Sequence, residues 1–231
     1  MIKEIMFKFI NFFNKVTNFI KYGLNYILSA PFCFYCKENL DKYLALCTNC
    51  SDLIKAIPSE KITINNFNIT VFAVSAYKEP LKSLILAKKY SDRSAALKLA
   101  EIIFKNNIIQ NLEFDYLVPV PLHFTRKYAR GYNQAEIIAQ ELAFLSKKKM
   151  LKCIKRTKKT QFQSILSYQQ REQNVKDVFE ILNLNVNLEN KILVLVDDLM
   201  TTGSTIKNCA KALLKFKPQK IYAIVACRVS S

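Results

Sequence analysis

Two kinds of apolar pattern run along this chain. Over residues 1–30, Ile5, Phe9, Phe12, Phe13, Val16, Phe19 and Ile20 recur at helical spacing with Lys8, Lys15 and Asn18 between them, which predicts an amphipathic helix. From about residue 67 short apolar runs take over, and strands are expected near 67–77, 116–120, 192–196 and 221–227 with helical segments between them. The run 192–196 is apolar at every position, as a strand buried on both faces requires. Alternating strands and helices predict an α/β fold, a parallel sheet with helices on both faces. Residues 184–190 form a short polar connector before the 192–196 strand, and no internal repeat is visible.

The N-terminal helix has two destinations. Lysines 3, 8, 15 and 21 interrupt every possible membrane span, and no cleavable signal pattern follows. The helix therefore packs on its own protein or lies on an anionic membrane surface. The expected compartment is the reducing cytoplasm, which decides how the cysteines are read.

Cys33 and Cys36 stand in CFYC, and Cys47 and Cys50 in CTNC, ten residues further on. Paired CxxC turns at this spacing read as a four-thiolate zinc knuckle, with the intervening KENLDKYLAL free to form a hairpin that brings the pairs together. The other reading is two redox-type pairs or plain buried cysteines. Cys153, Cys209 and Cys227 lack partners at ligand spacing and are expected to be small buried hydrophobes.

Charge narrows the partners. The chain has 231 residues, 35 Lys+Arg and 18 Asp+Glu, a net charge of +17, with 51% hydrophobic residues and only three glycines. That excludes a disordered or low-complexity chain and points to anions. Between residues 120 and 176, thirteen Lys/Arg face three acids, and residues 147–159 hold eight with no acid. Arg126, Lys127, Arg130, Lys147, Lys148, Lys149, Lys155, Arg156, Lys158 and Lys159 are therefore candidate single-stranded DNA contacts beside a phosphate crevice. Tyr128, Tyr132, Phe162 and Tyr168 are expected to stack bases. The bland alternative is a solvated face that recruits nothing.

The sharpest chemistry follows the 192–196 strand. Asp197 and Asp198 end it, and Leu199, Met200, Thr201, Thr202, Gly203, Ser204 and Thr205 lead into a helix bearing Ile206, Ala210, Leu213 and Leu214 on one face. A strand, a hydroxyl-rich loop around a glycine and a helix N-terminus make a phosphate cradle. The adjacent carboxylates suit the hydroxyls of a sugar. The loop is neither a Walker loop nor a GxGxxG turn. Upstream, residues 116–143 place Arg126, Arg130, Asn133, Gln134 and the sole histidine, His123, around a basic loop; one histidine without a partner is read as structural. Arg156, Thr160, Gln161, Gln163, Arg171 and Asn174 lie in the polar stretch 153–180, which suits a lid over the crevice.

DDLMTTGST resembles the phosphoribosyl pyrophosphate (PRPP) motif of type I phosphoribosyltransferases. Together with the knuckle, VPVPLHFTRKYARGYNQAE, the 153–180 stretch and SAYKEPLKSLILAKKYSDR, it resembles the ComF family and specifically its ComFC-like members. The resemblance runs from about residue 28 to the end; Ser91 stands where glycine is common, and residues 1–27 exceed the family's usual start.

It implies a type I phosphoribosyltransferase-like parallel sheet flanked by helices over 67–231, preceded by a small four-cysteine zinc module at 31–58 and the helix at 1–30. Asp197 and Asp198 would hold ribose hydroxyls, and Thr201, Thr202, Gly203, Ser204 and Thr205 the 5′-phosphate. Arg130 or Arg171 would act on departing pyrophosphate, with Mg²⁺ accompanying PRPP. The implied role is the handling of single-stranded DNA during natural transformation, beside a helicase-like partner, at the inner face of the cytoplasmic membrane. The alternative is an active phosphoribosyltransferase with a nucleotide, nucleobase or amine acceptor unrelated to DNA uptake.

Overall fold

The computed structural model describes residues 31–42, 44–87, 93–122, 131–156, 179–182 and 186–229. The helix expected over 1–30 lies outside them. The chain divides into two compact units between Cys47 and Thr48.

In the first unit, residues 31–40 fold back on themselves around the CFYC turn. Phe32 bridges Asn39, Cys33 N donates to Glu38 O at 2.8 Å, and Leu40 N donates to Pro31 O at 2.8 Å. Lys37 takes a left-handed conformation at φ 66°, and its ammonium donates to Phe34 O at 2.7 Å. The hairpin is thus built on CFYC itself, whereas the sequence suggested one within residues 37–46.

The second unit opens with a single helical turn, α1 (Thr48–Ser51), and a hairpin of β1 (Glu60–Ile64) and β2 (Phe67–Ala76). Asn65, at φ 51°, makes the reversal, a position asparagine tolerates better than most residues. Then follow α2 (Leu81–Leu86), α3 (Arg93–Lys105), β3 (Tyr116–Pro119), α4 (Gln134–Leu145) and β4 (Lys149–Met150). The chain continues with β5 (Ile154–Arg156), β6 (Phe179–Ile181), β7 (Ile192–Met200), α5 (Ser204–Leu213) and β8 (Lys220–Arg228). Six strands form one sheet in the order β1-β2-β8-β7-β3-β4.

Five of these strands run parallel, as expected, but the sheet is mixed because β1 pairs antiparallel with β2 at the edge. The sequence reading did not include β1, an exposed edge strand with only Ile64 buried. β7 also runs longer than its apolar stretch: it stays paired to β8 through Asp197, Leu199 and Met200. The 153–180 stretch is tied at its ends by a separate antiparallel pair, Ile154 with Ile181 and Arg156 with Phe179. Its interior, residues 157–178, lies outside the described residues, as do 123–130.

Leu193 and Leu195 on β7 share one core with Ile206, Cys209, Ala210 and Leu213 of α5, and with Ile221, Ala223 and Val225 of β8. The other face is covered by α3 and α4, whose Ala95, Leu99, Ile103, Ile138, Ala139 and Leu142 are buried. Cys153, Cys209 and Cys227 are fully buried, and burial pushes all three thiols up, to about 12 for Cys153 and Cys227. They are packing residues. No described helix is long and apolar enough to cross a membrane.

Asp115 closes the sheet at the strand starts. Its carboxylate accepts from Ile192 N at 2.8 Å and from Lys191 Nζ at 3.3 Å. Chiefly because of the Ile192 N–H, its carboxyl sits below the usual aspartate value. A depressed folded pKa contributes stability above the unfolded value, about pH 4, that is lost as pH falls through the folded one. Chemical denaturation between pH 6 and pH 2 should therefore show Asp115→Asn less stable than the parent at pH 6, with the gap closing in acid.

Candidate functional site

At the C-terminal end of β7, sequence and register bring the acids and the cradle together. Thr201 and Thr202 are exposed, Gly203 is buried, and Ser204 opens α5. Gly203 is the N-cap at φ 71°, a left-handed conformation that a side chain would strain; a Cβ there would also meet Ile62 Cδ1 at 2.8 Å. Lacking a side chain, Gly203 does not cap the helix, so the first N–H groups of α5 face the loop. Ser204 N has only a long contact, 3.5 Å, to Thr202 Oγ1. With the helix dipole behind it, this end of α5 suits an anion.

The two acids have different buried neighbours. Asp197, whose Oδ1 accepts from Asp198 N at 2.9 Å, lies on the α5 side and raises the buried Cys209 thiol. Asp198 is 9% exposed and acts on Cys227 and Tyr77. Tyr77 was missed by sequence reasoning. It is the first residue beyond β2, its N–H donates to Arg228 O at 2.8 Å, and its phenol is raised by burial and by Cys227, Asp198 and Glu79. Its place just past a strand C-terminus was the available signal.

A second helix starts at the same end. Asn133 Nδ2 donates to Val120 O at 3.0 Å, and Val120 N donates to Val196 O at 2.9 Å, so α4 begins at the end of the strand that adjoins the acids' own. Gln134 is only 6% exposed, and neither its Oε1 nor its Nε2 has a hydrogen-bond partner among the described residues. Arg126, Lys127, Arg130, His123, Lys158, Lys159 and Arg171 lie outside the described residues, as do Tyr128, Phe162 and Tyr168.

Lysines 147–149 do not line this crevice. Lys149 pairs with Tyr116 and Tyr116 with Leu193, the first rungs of the parallel strands, whereas Asp197 is four residues further along. Lys147, Lys148 and Lys149 therefore sit toward the opposite end of the sheet, because α4 runs back from the crevice and delivers them to the start of β4. Lys152 pairs with Glu136, and Lys155 with Glu180 at 2.9 Å. Arg156 lies over the Phe179 ring at 5.7 Å and acts on Cys209. Tyr132 is no stacking platform: it is 6% exposed with Arg93 over its ring at 5.5 Å.

The cysteines do converge. The sulfurs of Cys33, Cys36, Cys47 and Cys50 all lie within 4.8 Å of one another, with Cys36 and Cys47 3.7 Å apart. A tetrahedral zinc with bonds of about 2.3 Å has sulfur–sulfur edges of about 3.8 Å, so the set fits. Burial raises the Cys33 thiol, but the N–H groups of Cys47, Cys36 and Tyr35 outweigh it and bring it down to about 6, toward the thiolate a metal needs. These four cysteines are able to hold a metal ion.

An unpaired buried amide costs about 1–3 kcal/mol. Gln134→Met, of similar volume, is therefore expected to raise the thermal midpoint followed by circular dichroism; a fall would mean that the amide is satisfied in solution.

Comparison with known proteins bears on what this arrangement is. Residues 95–231 match the family described as "Phosphoribosyl transferase domain". The chain is 32% identical over 203 residues to Competence protein F of Haemophilus influenzae, covering 84% of this chain and 83% of that one. It is 32% identical over 162 residues to DNA utilization protein YhgH of Escherichia coli, covering 67% and 70%. Among solved structures, adenine phosphoribosyltransferase of Thermoanaerobacter pseudethanolicus aligns with a TM-score of 0.37 at 16% identity, over 79% of this chain and 98% of that one. The cysteine cluster, the parallel sheet with its cradle at the end of β7, and the family and relative matches make the chain a member of the ComF family, built on a phosphoribosyl transferase domain.

Proposed function

We propose that this protein handles incoming single-stranded DNA during natural transformation, and that it binds PRPP or a nucleotide at the end of β7. The observation that carries the reading is the 32% identity over 203 residues to a protein named for competence, joined to a cradle whose geometry suits a phosphate. In this reading the N–H groups at the start of α5 and the hydroxyls of Thr201, Thr202, Ser204 and Thr205 hold a 5′-phosphate, and Gly203 lets it approach the backbone. Asp197 and Asp198 accept ribose hydroxyls, Asp197 from the α5 side. Arg130 or Arg171 neutralises the diphosphate, where a Mg²⁺ ion accompanying PRPP would add charge.

The pair of carboxylates beside the cradle also suits a second reading, an active phosphoribosyltransferase with a nucleotide, nucleobase or amine acceptor. Transfer of this kind rests on positioning and charge stabilisation, so it needs no dedicated base. The proposed organisation is a zinc module over 31–58, in which Cys33, Cys36, Cys47 and Cys50 staple a segment too short for its own core, and a phosphoribosyltransferase-like domain over 67–231. Cytoplasmic placement, contact of residues 1–27 with the inner membrane face and a helicase-like partner belong to the same proposal.

Titration calorimetry with PRPP and Mg²⁺ should give saturable binding that Asp197→Asn weakens about tenfold, the loss of one charged hydrogen bond. PRPP binding without pyrophosphate release on adding single-stranded DNA, a nucleobase or a nucleotide favours the binding role, release favours the transferase, and no PRPP binding overturns the cradle. Metal analysis should find close to one zinc per chain, and chelation should lower the thermal midpoint; a metal-free protein indifferent to chelator would remove the zinc module.

A further inference from the structure

The end of the sheet away from the crevice carries its own pattern. β4 begins at Lys149, β7 is preceded by Lys191, and β8 begins at Lys220. Register sets them in one row: Lys149 beside Tyr116, Tyr116 beside Leu193, and Ile192 beside Lys220. Neighbouring strands are about 4.8 Å apart, so the row from β4 to β8 spans about 14 Å. Two further lysines sit in the turns that feed it. Lys147 joins α4 to β4 at φ 55°, and Lys217 precedes β8 at φ 50°.

Those two turns need left-handed residues, where glycine is the usual choice at a helix end. Lysine stands at both, so the strained conformation is kept together with the charge. Lys148 completes the group from over the Phe114 ring at 5.4 Å. Three acids lie at the same end, Glu113, Asp115 and Glu189. Asp115 holds Lys191 at 3.3 Å, and Glu189 reaches Lys217 only at 4.0 Å. Among the described residues, these six lysines meet three acids at this end, while Asp197, Asp198 and Glu79 stand at or beside the crevice end, where Arg228 holds Glu60 at 2.8 Å.

Beside the row stands Phe144, 77% exposed in the last turn of α4, with its carbonyl accepting from Lys147 N at 3.3 Å. A bare aromatic ring next to a row of ammonium groups matches one chemistry closely: phosphates that want cations and unpaired bases that want a flat apolar surface. A lipid surface would use the lysines and take up the ring as well, but the competence-named relative favours single-stranded DNA.

We infer that the strand-start end of the sheet, through Lys147, Lys148, Lys149, Lys191, Lys217 and Lys220 with Phe144 as a stacking platform, is where single-stranded nucleic acid binds, apart from the phosphate cradle, so that DNA and PRPP occupy the protein together. This rests on the DNA-handling reading above and gives it a location.

The test is fluorescence anisotropy of the full chain with a labelled oligothymidylate at several salt concentrations. Each phosphate contact contributes about 0.7 to the salt slope on single strands, so Lys147→Glu/Lys149→Glu/Lys220→Glu should flatten the slope by about 2 and weaken binding at least tenfold. Lys147→Gly/Lys217→Gly should weaken binding while holding or raising the thermal midpoint, since glycine relieves both turns. Phe144→Ala should weaken binding about fivefold or more with the slope unchanged, because stacking releases no counterions. Saturating PRPP with Mg²⁺ should leave the affinity within twofold, and Lys82→Glu should behave as the parent.

Parent-like binding by both lysine variants overturns the location while the DNA reading stands. So does displacement of the oligonucleotide by PRPP, or loss of phosphatidylglycerol-vesicle binding in the lysine variants with oligonucleotide binding intact. An unchanged Phe144→Ala removes the stacking platform. A parent protein that binds no oligonucleotide overturns the DNA reading and the surface with it.

Discussion

Strand β7 has a neighbour on each side, β8 and β3, and packed helices above and below. A strand in that position must satisfy its whole backbone within the sheet and bury side chains on both faces. Residues 193–196 do so with full burial. Polar chemistry is then admissible only where the layer ends, and β7 changes from valine to aspartate at the level where β3 stops pairing with it. The acids, the Thr201–Gly203 turn and the start of α5 share that end because the strand cannot accommodate them earlier.

The same constraint organises the opposite end. Parallel strands return through helices, so every helix that leaves the crevice end must deliver the chain to the strand starts. α4 carries it from Gln134 to Lys147, and α5 carries it from Ser204 to Lys217. Residues just after those helices accumulate at one end, and in this chain they are lysines. The sheet thereby keeps two polar ends with different chemistry. The crevice end presents carboxylates, uncapped N–H groups and a Gln134 amide with no partner among the described residues; the other presents ammonium groups, anchored by the Asp115 contact to Ile192 N. The cysteine cluster is able to hold a metal ion, the kind of cross-link that suits a stretch of some twenty residues with little apolar surface.

Much of this was legible because some patterns have local physical causes. Paired CxxC turns converge for reasons of reach, an unbroken apolar run demands a central strand, and a glycine among hydroxyl residues before a helix makes an anion cradle. Other features depend on partners distant in sequence. The edge strand β1 is exposed over most of its length and carries little signal. Tyr132 has the composition of a stacking residue, yet Arg93 closes over it. The lysines of 147–159 count as one block in sequence, but Glu136 and Glu180 take two of them and Arg156 turns to Phe179.

Sequence by itself therefore determined the class of fold, the four-cysteine set and the cradle, since each is written in residues a few positions apart. Which end of the sheet each charge occupies was decided only by tertiary structure. Lys149 and Asp198 are both polar residues near apolar runs, and nothing local separates them. The direction in which helix α4 runs, antiparallel to the strands it connects, sends one away from the crevice and leaves the other in it.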